Sequence, residues 1–390
     1  RLTNERADLL PHIDASGMGS THTMNTGTFG IDFPSVPGQP AFFDPKGEVV
    51  GPIKLVSGGA RLSQTLFDWS TLESVRGASM AVDAGRVSEA AARERAAAGA
   101  AAAYVQGVRA ARRVTAVEAD VRLAEELVQV AEATLEAGTG VALDVTRARA
   151  QLAGMRAQAL AVRNASDHAV LALLRALDLP LDREVVLVDT LTLAPAPAPP
   201  EPGQAVSSAL ARRSDVRVLD QQVRVAEQRL DAVRAERLPR LSLEGSDAWI
   251  GRWSGYKLNT YELSLQVSVP VFDGMRRKAR MEEQRAAIEE LGVQRQQFRE
   301  QVAFEVRSAI LDLGSAGEQL AAARARLDLA QQEYEQARDR FAAGVAGSAD
   351  VTTASLRLSE ARTAFVDAEA SVAMARVALA AASGTAQELR

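Results

Sequence analysis

The 390-residue sequence contains no cysteine, only three histidines and only 4% aromatic residues. Without thiols there can be no disulfide scaffold, thiolate metal site or cysteine nucleophile, and no lipidated cysteine within these residues. His12, His22 and His168 are too scattered for metal-ligand spacing, so neither a metal nor a cofactor is expected. The sequence has no run of about 18 apolar residues, which excludes a hydrophobic transmembrane helix. Even the alanine-rich 96–111 is bracketed by Arg93, Glu94, Arg95 and Arg109. Phosphate-binding loops, Gly-x-Ser-x-Gly and dinucleotide fingerprints are also missing. Glu282-Glu283 and Glu289-Glu290 fall in helical sequence, where a solvated face accounts for them, and no catalysis is expected. A net charge of −5, from 45 basic and 50 acidic residues, argues against wrapping nucleic acid.

What the sequence does contain is alanine, arginine and glutamate in quantity, strong helix formers that fill little volume. It also repeats itself. Leu10-Pro11 matches Leu238-Pro239, and Phe67-Asp68 matches Phe272-Asp273. Gly138, Asp144-Val145, Ala148 and Leu152 match Gly344, Asp350-Val351, Ala354 and Leu358 at one constant spacing. Matched Pro, Gly and Phe-Asp positions are punctuation and not helix filler, so two copies of one unit are expected. The first copy carries extra residues between its Pro and its Phe-Asp, which must form a loop. Gln204 to Gln228 has no counterpart in the first copy, which predicts a further helix and a targeting signal ahead of Arg1.

Residues 260–271 alternate strictly: Tyr261, Leu263, Leu265, Val267, Val269 and Val271 fall on one face, with Thr260, Glu262, Ser264, Gln266 and Ser268 on the other. Period two predicts a strand with one apolar and one polar side. Such strands suit a lipid-facing β-barrel, or a soluble sandwich packed on one side; the long helices that follow, with no further strands for a second sheet, favour the barrel. After Phe272-Asp273 the period becomes seven. Val306, Leu313, Leu320, Leu327, Tyr334 and Phe341 alternate with Ala309, Ala316, Ala323, Ala330 and Ala337. In the first copy Val114, Val121, Val128 and Leu135 accompany Ala103, Ala110, Val117, Ala124 and Ala131. These are coiled-coil seams whose alanines permit close approach. The first repeat is expected over 1–188, with strands 11–21 and 53–67 and helices 71–136 and 143–178. A Pro-rich linker, 189–203, leads to the second repeat, 204–390, with a helix at 204–237, strands 239–249 and 258–271, and helices 273–342 and 349–383.

Taken in order, the Leu-Pro and Phe-Asp pairs, the Gly-x5-Asp-Val-x2-Ala-x3-Leu pattern from Gly138 and from Gly344, and Arg213-Ser214-Asp215-Val216 resemble the TolC-like outer membrane efflux protein family. The resemblance implies a mixed α/β membrane protein: a homotrimer whose protomers each give four strands to a twelve-stranded β-barrel continuous with a long α-helical coiled-coil barrel. It implies a passive outer-membrane exit channel of a tripartite efflux pump or type I secretion system. The partners would be outer-membrane lipid, a periplasmic adaptor and an inner-membrane pump such as a resistance-nodulation-division or ABC transporter. The alternative is a soluble coiled-coil scaffold or a periplasmic adaptor, although an adaptor would carry one helical hairpin and this chain has two.

Asp144 and Asp350 follow the helix breaks, where an aspartate commonly caps a helix start. In the resembling family these positions lie at the narrow end of the tunnel, where threefold symmetry makes an acidic ring. The cap is favoured for Asp144, and both readings stand for Asp350. Phe341, Ala346 and Thr353 occupy positions where some members carry a tyrosine, an arginine and a second acid, so closure would rest on Phe341 and Leu135. The tips, Gly138, Thr139 and Gly140 with Gly344, Val345, Ala346 and Gly347, are the expected adaptor contact. Trp69, Trp249, Trp253, Tyr256 and Tyr261 are the expected membrane-interface aromatics.

Overall fold

The structure, a computed structural model, describes residues 2–29, 47–188, 200–343, 345 and 347–389. Most of the expected linker, 189–199, and the tip residues Gly344 and Ala346 lie outside the described residues. Four strands and seven α-helices follow the order α1 (Leu2–Ala7), β1 (His12–Asn25), β2 (Val49–Phe67), α2 (Trp69–Glu136), α3 (Ala142–Ala176), α4 (Pro202–Arg212), α5 (Ser214–Ala235), β3 (Arg240–Arg252), β4 (Lys257–Ser268), α6 (Arg276–Ala342) and α7 (Ser348–Ser383). No helix among the described residues is long and apolar enough to cross a membrane. The chain divides into two compact units, residues 1–84 with 221–292, and 85–220 with 293–390.

The first unit is built on one antiparallel sheet of order β1-β2-β3-β4. All four helix-connected strand ends therefore lie at one end of the sheet and both hairpin connections at the other. Several bounds differ from expectation for local reasons. β4 stops at Ser268 and not at 271, because Pro270 has no N–H to give the ladder. α6 begins at Arg276 and not at 273, because Gly274 and Met275 adopt left-handed φ of 66° and 65°. The helix expected at 204–237 is two helices, α4 and α5, broken at Arg213, whose ψ of 124° is extended. The Pro-rich stretch ends sooner than 203: Pro202 opens α4, and the Glu201 carboxylate accepts the Gln204 N–H at 2.8 Å as its N-cap.

The second unit is helical. α7 is its most enclosed element, with 16 buried residues, mostly alanine and valine, which allow neighbouring helices to approach on several sides. The α6 seam follows the expected heptads, burying Val306, Ala309, Leu313, Ala316, Ala330, Tyr334 and Phe341 and leaving Leu320, Ala323, Leu327 and Ala337 half-buried. On α2 it does not. Val117, Ala124 and Ala131 are buried as expected, but Asp120 and Leu127 complete the stripe, while Val114, Val121 and Val128 are only half-buried and Leu135 is exposed. An aspartate can hold a core position here because Arg362 donates to it at 2.6 Å.

That pair belongs to a set of ion pairs between α2 and α7 in which the Asp120 and Glu369 carboxylates are buried and the other groups half-buried. Arg109 and Arg113 donate to Asp367 at 2.8 and 2.6 Å, and Arg112 donates to Glu369 at 2.8 Å. Burial pulls the Asp367 carboxyl upward, but hydrogen bonds from Arg109 and Arg113 outweigh it and hold the carboxyl below the usual range. For Glu369 burial prevails over the attraction of Arg112, and its carboxyl is raised. Arg213, in the break between α4 and α5, donates to both Asp215 oxygens at 3.1 and 2.7 Å and to Glu305 at 2.6 Å. The arginine and aspartate of the Arg213-Ser214-Asp215-Val216 motif are therefore a clamp across a helix break.

Candidate functional site: the sheet face and the helical tips

Strand register decides which side chains share a face. Val267, Leu265 and Leu263 of β4 stand opposite Leu241, Leu243 and Gly245 of β3, and Gly245 stands opposite Leu62 of β2, which faces Ile13 of β1. The apolar positions of four strands thus form one continuous face. The opposite face is polar toward the helix-connected end, where His12 and Ser63 align with Glu244 and Ser264, and Asp14 and Arg61 with Ser246 and Glu262, and carries Leu55, Ile250 and Leu258 toward the hairpin end. A bulge between Thr65 and Phe67 shifts β2 by one residue, so that Phe67, not Leu66, joins the apolar face opposite Leu241.

Nothing in the described chain covers this apolar face. Leu263, Leu265 and Val267 are each more than 60% exposed, and Ile13 is 70% exposed. Isolated exposed leucines are ordinary, but a whole sheet face of them marks an interaction surface. The two outer strands, β1 and β4, each have a single neighbour.

Aromatic residues bound the face at both ends. At the hairpin end are Trp249, Trp253, Tyr256 and Tyr261, the last three strongly exposed. Trp249 lies flat over Gly58, where a Cβ would come within 2.8 Å of its ring, so glycine is what admits the indole. Trp69 does not belong with them. It opens α2 at the helix-connected end, 6.2 Å from the Phe67 ring and beneath the Arg76 guanidinium at 5.8 Å. Phe67 and Phe272, both exposed, join it there. Sequence reading used Phe67 and Phe272 only as punctuation; the strand-to-helix change just after each was the signal that they form a second aromatic level. The aspartates that follow are helix starters: Asp68 accepts the Ser70 N–H at 2.9 Å, and Asp273 the Arg277 N–H at 3.1 Å. From Tyr261 to the end of β4 at Ser268 is about 23 Å of extended chain.

The tips form part of the other unit. α2 closes through Gly138, in a left-handed φ of 78°, with the amides of Thr139 and Gly140 donating to the Thr134 carbonyl at 3.0 and 2.9 Å. Val141 and Gly347 are the N-cap residues of α3 and α7, and neither supplies a side-chain cap. Asp144 and Asp350 are therefore not caps. Both lie in the first turn, where a carboxylate complements the helix dipole. They differ in setting: Asp144 is half-buried and accepts a hydrogen bond from the enclosed Ser348 hydroxyl, whereas Asp350 is exposed. The Thr353 hydroxyl is bound to its own helix, at the Ala349 carbonyl, 2.9 Å away. Phe341 packs with Tyr334, Val351 and Leu358 in a buried cluster that does not include Leu135, which is 39% exposed. Val141, Leu143 and Val345 are apolar and more than half exposed beside the tip turns, a feature that helical periodicity alone did not single out.

The sequence profile of the outer membrane efflux proteins matches residues 2–178 and again 205–385. The chain belongs to that family. Among curated relatives, outer membrane efflux protein BepC of Brucella suis is 28% identical over 265 residues, 66% of this chain and 56% of its own length. The solvent efflux pump outer membrane protein SrpC of Pseudomonas putida is 28% identical over 55% of this chain and 48% of its own. The chain thus spans about half the length of the curated relatives it matches. Among solved structures, the CmeC outer membrane channel of Campylobacter jejuni superposes with a TM-score of 0.76 at 19% identity, covering 99% of this chain and 80% of that one. A membrane protein from Pseudomonas aeruginosa gives 0.78 at 21% identity, covering 98% and 86%. The fold is therefore that of outer-membrane channels rather than of an enzyme. Among the described residues there is no cluster able to hold a metal ion.

Proposed function

We propose that this outer membrane efflux family protein is a passive exit channel in the bacterial outer membrane, with its sheet in the bilayer and its helical unit in the periplasm. The observation that carries this reading is the four-stranded sheet with one uncovered apolar face and two unpaired edges. An open edge in hydrocarbon leaves backbone donors and acceptors unsatisfied at several kcal/mol each, so the sheet must close on copies of itself. Three protomers give twelve strands, an even number within the range of membrane barrels. The apolar face then meets lipid and the polar face, with Asp14, Arg61, Glu244 and Glu262, lines the lumen.

The two-copy organisation, with boundaries near 188 and 204, supplies two strand hairpins and two helical hairpins per protomer. The tips, Gly138 to Gly140 and the turn containing Val345 and Gly347, are the contact for a periplasmic adaptor coupled to an inner-membrane pump, and the exposed Val141, Leu143 and Val345 supply apolar area for it. Asp350, exposed in the first turn of α7, forms the acidic ring at the constriction. Asp144, tied to Ser348, holds the tip in shape, and Phe341 backs it from within the chain. The named relatives include a solvent efflux pump component, which favours export of small molecules.

Reconstitution into planar bilayers tests the reading. Discrete conductance steps with cation preference are expected, and Asp350→Asn should weaken that preference while leaving the thermal midpoint unchanged. Purification as a soluble monomer without detergent would overturn it.

A further inference from the structure

Lysine is rare in this chain: four of its 45 basic residues, the others all being arginine. Two of the four, Lys54 and Lys257, lie near the hairpin end on the face that carries Ile13, Leu62, Leu243 and Leu265. Lys257 stands opposite Gly251, which pairs with Val56; Lys54, one pleat beyond Val56, pairs with Thr21. With strands about 4.8 Å apart and about 3.3 Å per residue, their Cα atoms are about 12 Å from each other. The Lys257 Nζ stands 4.5 Å from the centre of the Trp249 ring. The Trp253 amide donates to the Lys54 carbonyl at 3.1 Å, and its ring lies over Gly19 on the same face. Both lysines are exposed, and among the described residues neither is in an ion pair. The acid nearest them by register on this face, Asp247, stands between Ala60 and Tyr261, two rows toward the helix-connected end from Lys257.

A cation on a lipid-facing surface is costly at the bilayer centre and nearly free at headgroup depth, where anionic groups attract it. The two tryptophans mark that depth. We propose that Lys54 and Lys257, with Trp249 and Trp253, form a docking site for an anionic, phosphate-bearing lipid headgroup in the leaflet met by the hairpin end. The indole rings lie along the upper acyl chains, and the two ammonium groups bracket the phosphate. This rests on the reading of the apolar face as lipid-facing.

The test is native mass spectrometry of the delipidated, detergent-solubilised full chain, titrated with phosphatidylglycerol or with phosphatidylcholine of matched acyl chains. Wild type should prefer phosphatidylglycerol roughly thirtyfold, as two surface lysines provide. K54Q/K257Q should lose the preference and K54R/K257R should keep it. A double glutamine variant with the wild-type preference, or a wild type that takes up both lipids equally, would overturn the site. Displacement of phosphatidylglycerol by millimolar inorganic phosphate would show a free-anion site instead. A wild type that binds neither lipid and stays in solution without detergent would sink the lipid-facing reading itself, a different failure.

Discussion

At the scale of the residue, the informative groups are charges placed where apolar side chains were expected. Asp120 stands in the α2 seam because Arg362 meets it, and Asp367 and Glu369 are held by three arginines one helical turn apart. The two carboxyls of α7 should act oppositely with pH. The depressed Asp367 contributes stability that is complete above its unfolded pKa of about 3.9 and is lost as pH falls through its folded value. The raised Glu369 contributes stability that is complete below about 4.3 and is lost as pH rises through its folded value. In thermal melts across the acid range, Asp367→Asn should flatten the acid limb and cost about 1–2 kcal/mol at neutral pH. Glu369→Gln should remove a loss that sets in just above pH 4.3. Identical acid limbs in wild type and both variants would show that these pairs are not linked to folding. At the tip, Asp144→Ala leaves the buried Ser348 hydroxyl without the Asp144 acceptor and should cost about 1–3 kcal/mol of stability, read as a lower melting midpoint than that of Asp350→Ala.

Among the elements, the strands and the long helices obey different rules. The period-two alternation of 260–271 already showed a two-faced strand, and the register shows that toward the helix-connected end the four strands place Ile13, Leu62, Leu241, Leu243, Leu263 and Leu265 on one side. That makes substitutions on neighbouring residues of β4 sharply unequal. Leu265→Lys puts a charge in the middle of the apolar face and should cost about 2–4 kcal/mol, read as loss of heat-resistant oligomer from detergent-washed membranes. Ser264→Lys, one residue away on the polar face, should assemble normally. Equal tolerance of both would exclude a lipid-facing sheet. The helices were less legible. Heptads located the α6 seam, but on α2, which is rich in alanine and valine, several stripes look equally apolar. Which one is buried depends on partners such as Arg362, more than 200 residues away in the chain.

For the whole molecule, the family membership and the unclosed sheet lead to the same expectation about assembly. A single chain cannot satisfy both edges of its sheet, so light scattering in detergent should give three chains per particle. A stable monomer with an unchanged far-ultraviolet spectrum would contradict closure between copies. The duplicated tip turns should also differ in function, since the exposed Asp350 and the tied Asp144 are not equivalent despite aligned sequences.

By itself, the sequence determined the element types and the family, because periodicity, proline and glycine act locally and leave marks that do not depend on what an element touches. The tertiary structure alone decided that four separate apolar stripes make one uncovered face, that a bulge delivers Phe67 to it, and that the 204–237 helix breaks at Arg213. It also separated Asp350 from Asp144 and brought Lys54 and Lys257 to the same rim. The physical reason is that register and ion pairing join residues far apart in the chain, and no local pattern encodes which neighbour each will meet.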